Sequence, residues 1–152
     1  MKITQKTIFF IIIVVLVLGA IGTFIVRSST PSVSVNYDEF ATCIKDKGVK
    51  FYGAFWCAHC NTTKKFFGSS KSLLPYIECS TPGGDDQVQI CKDKKIEGYP
   101  TWEFSDGTRL SGEISMSSFP KSSASIENLY KISEKTGCQL PPNTPQLIPV
   151  SQ

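Results

Sequence analysis

The chain has 152 residues and a formal net charge of +3. Lys2, Lys6 and Arg27 lie in the first 27 residues, where there is no acid, and the remaining 13 basic residues are balanced by 13 acidic ones. Nucleic-acid binding requires a basic face or stripe, so this balanced composition excludes nucleic acid as a partner. With an anchor and two polar ends set aside, roughly 110 residues remain, which suits one compact domain.

The N-terminal segment is apolar and uncharged from residue 8 to residue 26. At about 1.5 Å per residue, a helix of this length nearly spans a bilayer core of roughly 30 Å. We therefore predict a cytoplasmic N-terminus at residues 1–7 and a single transmembrane helix at residues 8–26. The excess of positive charge before this span places the rest of the chain on the extracytoplasmic side, periplasmic or at the cell surface. A cleaved signal peptide is the alternative, and both interpretations export the domain.

The exported part is predicted to be a linker at residues 27–36, a domain at 37–140 and a disordered, proline-rich tail at 141–152. Apolar patterning and turn signals within the domain predict helix, strand, helix, strand, helix, a hairpin of two strands and a final helix. The ranges are 37–47, 49–55, 57–67, 75–78, 86–95, 101–104 with 108–110 around Asp106-Gly107, and a helix that includes Ile126, Leu129 and Tyr130. Helices alternating with strands predict an α/β sandwich with a mixed sheet.

The motif Cys57-Ala58-His59-Cys60 follows the first predicted strand directly. The i, i+3 spacing places both sulfurs on one helix face, within reach of a disulfide bond. At the helix N-terminus, free N–H groups and the helix dipole stabilise a thiolate, so we predict Cys57 as the nucleophile and Cys60 as the resolving cysteine. A hydrogen bond or positive charge from His59 stabilises the Cys57 thiolate further, which makes the pair more oxidising.

A zinc site is the alternative interpretation of a C-x-x-C motif. Zinc requires two further ligands, usually from a second closely spaced pair, but Cys79 and Cys91 are far apart in sequence and the sole histidine lies inside the motif. The spacing therefore favours a redox-active disulfide, with no metal and no organic cofactor.

The other four cysteines are expected to pair, because an even number in an exported chain is typical of disulfides. Cys79 and Cys91 flank a glycine-rich loop, and a bond between them would fix that loop; an electron-relaying pair is the alternative. By elimination Cys43 is left with Cys138, near the two ends of the domain. A free or intermolecular thiol remains open for this second pair.

Two sequence segments resemble the thioredoxin superfamily: Phe55-Trp56-Cys57-Ala58-His59-Cys60 and Gly98-Tyr99-Pro100-Thr101. The resemblance implies a three-layer sandwich with a central mixed sheet and a cis-proline at Pro100 that faces the nucleophile. It also implies substrate binding by Trp56, Tyr99, Pro100 and Thr101. Tyr99 and Trp102 either line the substrate groove or pack in the core.

A narrower similarity covers about residues 40 to 138. The segments 52–57, 74–79 and 98–102, together with Cys91, look like the thioredoxin-like domain fused to bacterial homologues of vitamin K epoxide reductase. This resemblance implies disulfide exchange with a quinone-linked membrane oxidoreductase of that type and with the thiols of exported proteins. The predicted function is therefore a membrane-anchored, extracytoplasmic thiol-disulfide oxidoreductase that forms or exchanges disulfides. A thiol reductase for specific exported proteins, or a non-enzymatic binding domain held by disulfides, is the alternative.

Two positions depart from the family pattern. Ala58 stands where such motifs usually carry proline, and Phe51 stands where thioredoxin itself has a buried acid. Without that carboxylate, no group at this position takes the proton from Cys60. We therefore expect oxidation of substrates to be favoured over their reduction.

Overall fold

The computed structural model describes residues 5–27, 35–115 and 123–146. The chain divides into two units, of which the first contains helix α1, Gln5–Arg27, over the residues of the predicted anchor. Among the described residues, no helix combines the length and the apolar character needed to cross a bilayer. The anchor therefore stays a prediction from the sequence. Residues 1–4, and residues 28–34 of the predicted linker, lie outside the described part.

The second unit contains the element order that the sequence predicts, with one addition. The added element is a 3₁₀-helix at Gly68–Leu73, directly after the third helix. The other elements are α2 (Asp38–Asp46), β1 (Lys50–Gly53), α3 (Ala58–Phe66), β2 (Tyr76–Glu78), α4 (Gln89–Asp93), β3 (Thr101–Glu103), β4 (Arg109–Ser111) and α5 (Ser123–Thr136).

Strand β1 is shorter than predicted. After Gly53 the chain leaves the sheet in a turn that is closed by a hydrogen bond from the Cys57 N–H to the Ala54 carbonyl, 3.0 Å long. Phe55, which the prediction placed in the strand, is therefore half exposed in a turn, as is the following Trp56. Helix α4 is also shorter, because Gln87 forms an isolated bridge with Ser80 before the helix begins.

The four strands form one mixed sheet in the order β2-β1-β3-β4. β1 is parallel to β2 and antiparallel to β3, and β3 is antiparallel to β4, as the hairpin signal predicts. In the hairpin turn, Gly107 has a φ of +80°, a conformation that favours glycine. The predicted mixed sheet is confirmed.

Two core clusters lie on opposite faces of this sheet, because Phe51 and Tyr52 are consecutive residues of β1. The Phe51 cluster includes buried residues of α2, α3 and α5, among them Phe40, Ile44, Cys60, Leu129 and Ile132. The Tyr52 cluster consists of Tyr52, Cys79, Cys91 and Ile96 and includes part of α4. Helices therefore cover both faces, which gives the three layers that the sequence resemblance implies.

Trp102 belongs to the core. It is fully buried, and its ring stacks on that of Phe51 with 4.3 Å between the ring centroids. Of the two interpretations left open for this tryptophan, packing is therefore correct. The ring of Phe51 is held between those of Trp102 and Tyr76.

The two ends of the domain are joined. Cys43 of α2 and Cys138, just after α5, form a disulfide with 5.9 Å between their Cα atoms. The first residues of the predicted tail also lie against the domain, because the Tyr130 hydroxyl donates to the Pro145 carbonyl at 2.9 Å and Thr144 is buried. The rest of that tail, residues 147–152, lies outside the described residues.

Candidate active site

Cys57 caps the N-terminus of helix α3. Its backbone is extended, and its Sγ accepts a hydrogen bond from the Cys60 N–H at 3.1 Å. A side chain at this position normally satisfies one of the free N–H groups of the first turn. When that side chain is a thiol, the same N–H and the helix dipole stabilise its anion. The local geometry therefore suits Cys57 to nucleophilic attack.

Cys60 lies behind Cys57 and is fully buried, whereas Cys57 retains 6% of its surface. A Cβ at Gly53 would lie 3.0 Å from the Cys60 Sγ and 2.8 Å from the Tyr76 ring, so only glycine fits beneath this sulfur. Burial, followed by the interaction with Cys57, raises the pKa of the Cys60 thiol to about 12. At neutral pH Cys60 therefore holds its proton, and Cys57 is the available nucleophile.

The imidazole of His59 has a partner that the sequence did not reveal. Its Nδ1 lies 2.7 Å from Oε2 of Glu113, in the segment that follows β4. The two residues are 54 positions apart, and no local pattern links them. The hydrogen-bond partner of the His59 Nδ1 is therefore a carboxylate and not the Cys57 sulfur.

A groove of about 450 Å³ opens beside Cys57. The Tyr99–Pro100 peptide bond is cis, as the resemblance implies. Tyr99 borders the groove with its ring edge-to-face on Trp56, 5.9 Å between centroids, whereas Pro100 and Thr101 are buried and do not line it. The lining residues are Trp56, Cys57, Ala58, His59, Gln87, Glu97, Gly98 and Tyr99.

Gln87 and Glu97 are groove residues that the sequence did not single out. The Gln87 side-chain amide donates to the Tyr99 hydroxyl at 2.6 Å and to the Ile96 carbonyl at 2.9 Å, so it fixes one wall of the groove. Only the loop conformation brings these residues to Cys57, because Gln87 lies 30 positions and Glu97 lies 40 positions after it in sequence.

The loop between β2 and α4 supports the exposed Trp56. The indole N–H of Trp56 donates to the Ser80 hydroxyl at 2.9 Å, and 54% of the Trp56 surface remains exposed. A disulfide between Cys79 and Cys91, with 5.6 Å between their Cα atoms, closes this loop at its base. Both sulfurs are fully buried, so a thiol cannot reach them unless the loop opens. They are also bonded to each other, and so are not free to complete a zinc site with the C-x-x-C motif.

Comparison with known proteins gives the class of the domain. No family model matches the chain. It is 45% identical over 73 residues to Thiol-disulfide oxidoreductase LTO1 of Arabidopsis thaliana, and the match covers 45% of this chain and 19% of that protein. It is 30% identical over 86 residues to Thioredoxin domain-containing protein 5 homolog of Drosophila melanogaster, and this match covers 49% of this chain and 20% of that protein.

The chain thus spans about a fifth of the length of the curated relatives it matches. The mixed sheet between helices, the cysteine pair at the start of α3 and the cis-proline agree with what these two names indicate. The domain is thioredoxin-like.

Proposed function

We propose that this protein is a membrane-anchored thiol-disulfide oxidoreductase that forms or exchanges disulfides in exported proteins on the extracytoplasmic side. The observation that carries the proposal is the position of Cys57, which caps α3, lies over the buried Cys60 and opens onto an aromatic groove. The two relatives, whose names are those of a thiol-disulfide oxidoreductase and a thioredoxin-domain protein, support the same chemistry.

The proposed reaction begins with Cys57 and Cys60 joined in a disulfide. A substrate thiolate attacks the Cys57 sulfur, the bond to Cys60 breaks, and Cys60 leaves and takes up a proton. A second substrate thiolate then attacks the substrate sulfur of the mixed disulfide and releases Cys57 as a thiolate, which the Cys60 N–H stabilises. Two electrons pass from two substrate thiols to the cysteine pair, and the substrate gains one disulfide.

The burial of Cys60 slows the back reaction, in which Cys60 would attack the mixed disulfide and expel the substrate. A thiol whose pKa is about 12 attacks slowly at neutral pH, because almost none of it is thiolate. The mixed disulfide at Cys57 therefore survives until a second substrate thiol arrives. Phe51, buried between Trp102 and Tyr76, offers no carboxylate that would remove the Cys60 proton.

The reduced pair then requires an electron acceptor. We propose a quinone-linked membrane oxidoreductase of the vitamin K epoxide reductase type, which would take two electrons from Cys57 and Cys60 and restore their disulfide. The sequence similarity described above is the basis for this partner, and the apolar segment at residues 8–26 would keep the domain beside it in the bilayer.

The first experiment measures the reduction potential of the Cys57–Cys60 pair in the full chain, in detergent micelles equilibrated with glutathione buffers. An oxidising enzyme should have a potential well above about −300 mV, and a purely structural disulfide should lie below that value. A potential below about −300 mV would indicate a structural disulfide, and the protein would then be a non-enzymatic binding domain. A potential near about −270 mV, together with efficient reduction of a disulfide substrate, would instead indicate a reductase.

The second experiment identifies the partners. In a Cys60→Ala chain, Cys57 can still attack the disulfide of a partner, but no second thiol beside it can break the mixed disulfide that forms. When expressed in membranes, this chain should therefore trap the electron acceptor and the disulfide-containing form of its substrates through Cys57. Non-reducing electrophoresis and mass spectrometry would identify the trapped proteins, with Cys57→Ala/Cys60→Ala as the matched control. Trapping of cytosolic proteins alone would contradict the extracytoplasmic location.

A further inference from the structure

We infer that Glu113 is a positioning residue for His59 and that it makes the Cys57–Cys60 pair less oxidising than His59 alone would make it. This inference deepens the proposed function, because it concerns the reduction potential of the same cysteine pair. Glu113 lies outside the C-x-x-C motif and outside the groove lining.

The contact between His59 and Glu113 is short, and the two side chains differ in exposure. The Glu113 Oε2 lies 2.7 Å from the His59 Nδ1, and the two side chains are 24% and 69% exposed respectively. The carboxylate is thus the more enclosed partner, and it holds a ring that would otherwise rotate in solvent. The ring nitrogen that faces the carboxylate carries a proton, because only an N–H can donate to it.

A buried hydroxyl in α3 fixes the distance between these two residues. The Thr63 Oγ1, which is fully buried, donates to the His59 carbonyl at 3.1 Å and accepts from the Ile114 N–H at 3.0 Å. The same atom therefore joins the backbone of His59 to the residue that follows Glu113. This bridge brings the carboxylate to the side of α3 on which the imidazole lies.

A second anchor holds the Glu113 segment from the other side. The Asn128 side-chain amide of α5 donates to the carbonyls of Ser111 and Glu113, at 3.3 Å and 3.2 Å. Gly112, between them, has a φ of +109°, and a Cβ there would lie 2.9 Å from the Asn128 amide nitrogen. The Ser115 hydroxyl also donates to the second carboxylate oxygen of Glu113 at 3.1 Å. Both carboxylate oxygens are therefore held.

The consequence follows from where the imidazole donates. A hydrogen bond or positive charge from His59 to the Cys57 thiolate would stabilise the reduced state and make the pair more oxidising. Glu113 Oε2 accepts from the Nδ1 of that ring, so this nitrogen donates to the carboxylate and not to the thiolate, and the carboxylate adds a negative charge on the same side. Glu113 therefore weakens the support that His59 gives to the thiolate, and the disulfide becomes more stable relative to the thiols.

The test compares Glu113→Gln with the unmodified full chain in glutathione buffers. We expect the variant to be half reduced at a ratio of [GSH]² to [GSSG] roughly threefold lower, a change of the size that an exposed ion pair produces. The control is Glu127→Gln, which removes the same charge from an exposed i, i+4 pair with Lys131 in α5 and should leave the ratio unchanged. No shift, or a shift in the opposite direction, would overturn the inference.

A second comparison tests the dependence on His59. If Glu113 acts through the imidazole, the effect of Glu113→Gln should shrink to less than half in a His59→Gln background. An equal shift in that background would show that the carboxylate acts on the thiolate directly, and the positioning role would be wrong. The chain contains a single histidine, so the chemical shift of its ring protons reports the loss of the contact without ambiguity.

The third comparison tests the bridge at Thr63. Thr63→Val removes the hydroxyl and should move the ratio in the same direction as Glu113→Gln, whereas Thr63→Ser keeps the hydroxyl and should not. These equilibria are measured on the cysteine pair itself and do not require catalysis. If the chain failed to oxidise a substrate but the shifts appeared, the proposed function would fail and this inference would stand.

Discussion

The two short-range cysteine pairs of this domain lie on opposite faces of one sheet and differ in almost every property that governs reactivity. Cys57 and Cys60 begin a helix, and one sulfur reaches a groove; Cys79 and Cys91 are buried against Tyr52 and Ile96. The first pair is held as thiols that share a hydrogen-bonded turn, and the second as a disulfide. Reactivity thus depends on access and on the helix N-terminus more than on the spacing of the cysteines.

The face that contains Cys79 and Cys91 is also fixed by ion pairs. Glu103 of β3 accepts hydrogen bonds from Arg109 at 2.7 Å and 3.0 Å and forms an ion pair with Lys94 at 3.2 Å. Arg109 in turn donates to the carbonyls of Lys94 and Lys95, just after α4. These contacts hold α4 and its loop in place on the Tyr52 face of the sheet, whereas Cys57 lies on the Phe51 face.

The largest expected effect is on the oxidation rate, which should depend on the first cysteine pair and not on the second. Cys57→Ser should lower the rate at which the oxidised full chain oxidises reduced ribonuclease by roughly three orders of magnitude, because the substrate thiolate loses the sulfur that it attacks. The matched Cys79→Ser/Cys91→Ser chain, assayed where it remains folded, should keep most of the rate. If both variants lost activity equally, Cys79 and Cys91 would take part in electron transfer and the contrast would be wrong.

Alkylation should distinguish Cys57 from Cys60 within the first pair. In the reduced chain at pH 7, iodoacetamide should modify Cys57 at least roughly a hundredfold faster, because Cys60 is buried and its pKa is about 12. Below that pKa, the Cys60 thiolate fraction rises about tenfold for each pH unit, and its rate should rise likewise. Peptide mass mapping gives both rates, with Cys60→Ser as the reference for Cys57 alone. Faster labelling of Cys60 would reverse the assigned roles.

Removal of the second disulfide should mainly cost stability. The Cys79–Cys91 bond closes a loop with a sequence separation of 12, so the chain-entropy model gives a loss of about 3 kcal/mol for Cys79→Ser/Cys91→Ser. Urea unfolding followed by tryptophan fluorescence measures this change. An unchanged free energy of unfolding would mean that packing in the Tyr52 cluster fixes the loop without the bond.

The smallest effect concerns pH. Burial would raise the pKa of Glu103, but hydrogen bonds from Arg109 and Lys94 outweigh it and hold the pKa below its usual value of 4.5. Because the folded pKa is depressed, the stabilisation is present above pH 4.5 and is lost as pH falls through the folded pKa. We expect the unmodified chain to lose about 1 kcal/mol more than Glu103→Gln on acidification. Parallel unfolding curves at pH 6 and pH 3 check this, and equal losses would contradict it.

The element order and the paired motifs followed from local sequence. An apolar run beside a C-x-x-C, an Asp-Gly turn and helical spacing in α5 each depend on residues a few positions apart, and the structure contains the corresponding strand, hairpin and helices. The exact ends of β1 and α4 were wrong, because the turn at Ala54 and the bridge at Gln87 depend on distant partners. Likewise, nothing near Trp102 in sequence shows that its ring stacks on Phe51 in the core.

By itself, the sequence determined the chemistry of the site: two cysteines one helical turn apart, a histidine between them and a proline in a second segment. These features are local, because each depends on residues that are close together in the sequence. Only the tertiary structure decided the surroundings of the site, which are the full burial of Cys60, the groove wall at Gln87 and Tyr99, and the carboxylate of Glu113 on His59. Long-range packing sets those contacts, and it depends on how the whole chain folds around the sheet.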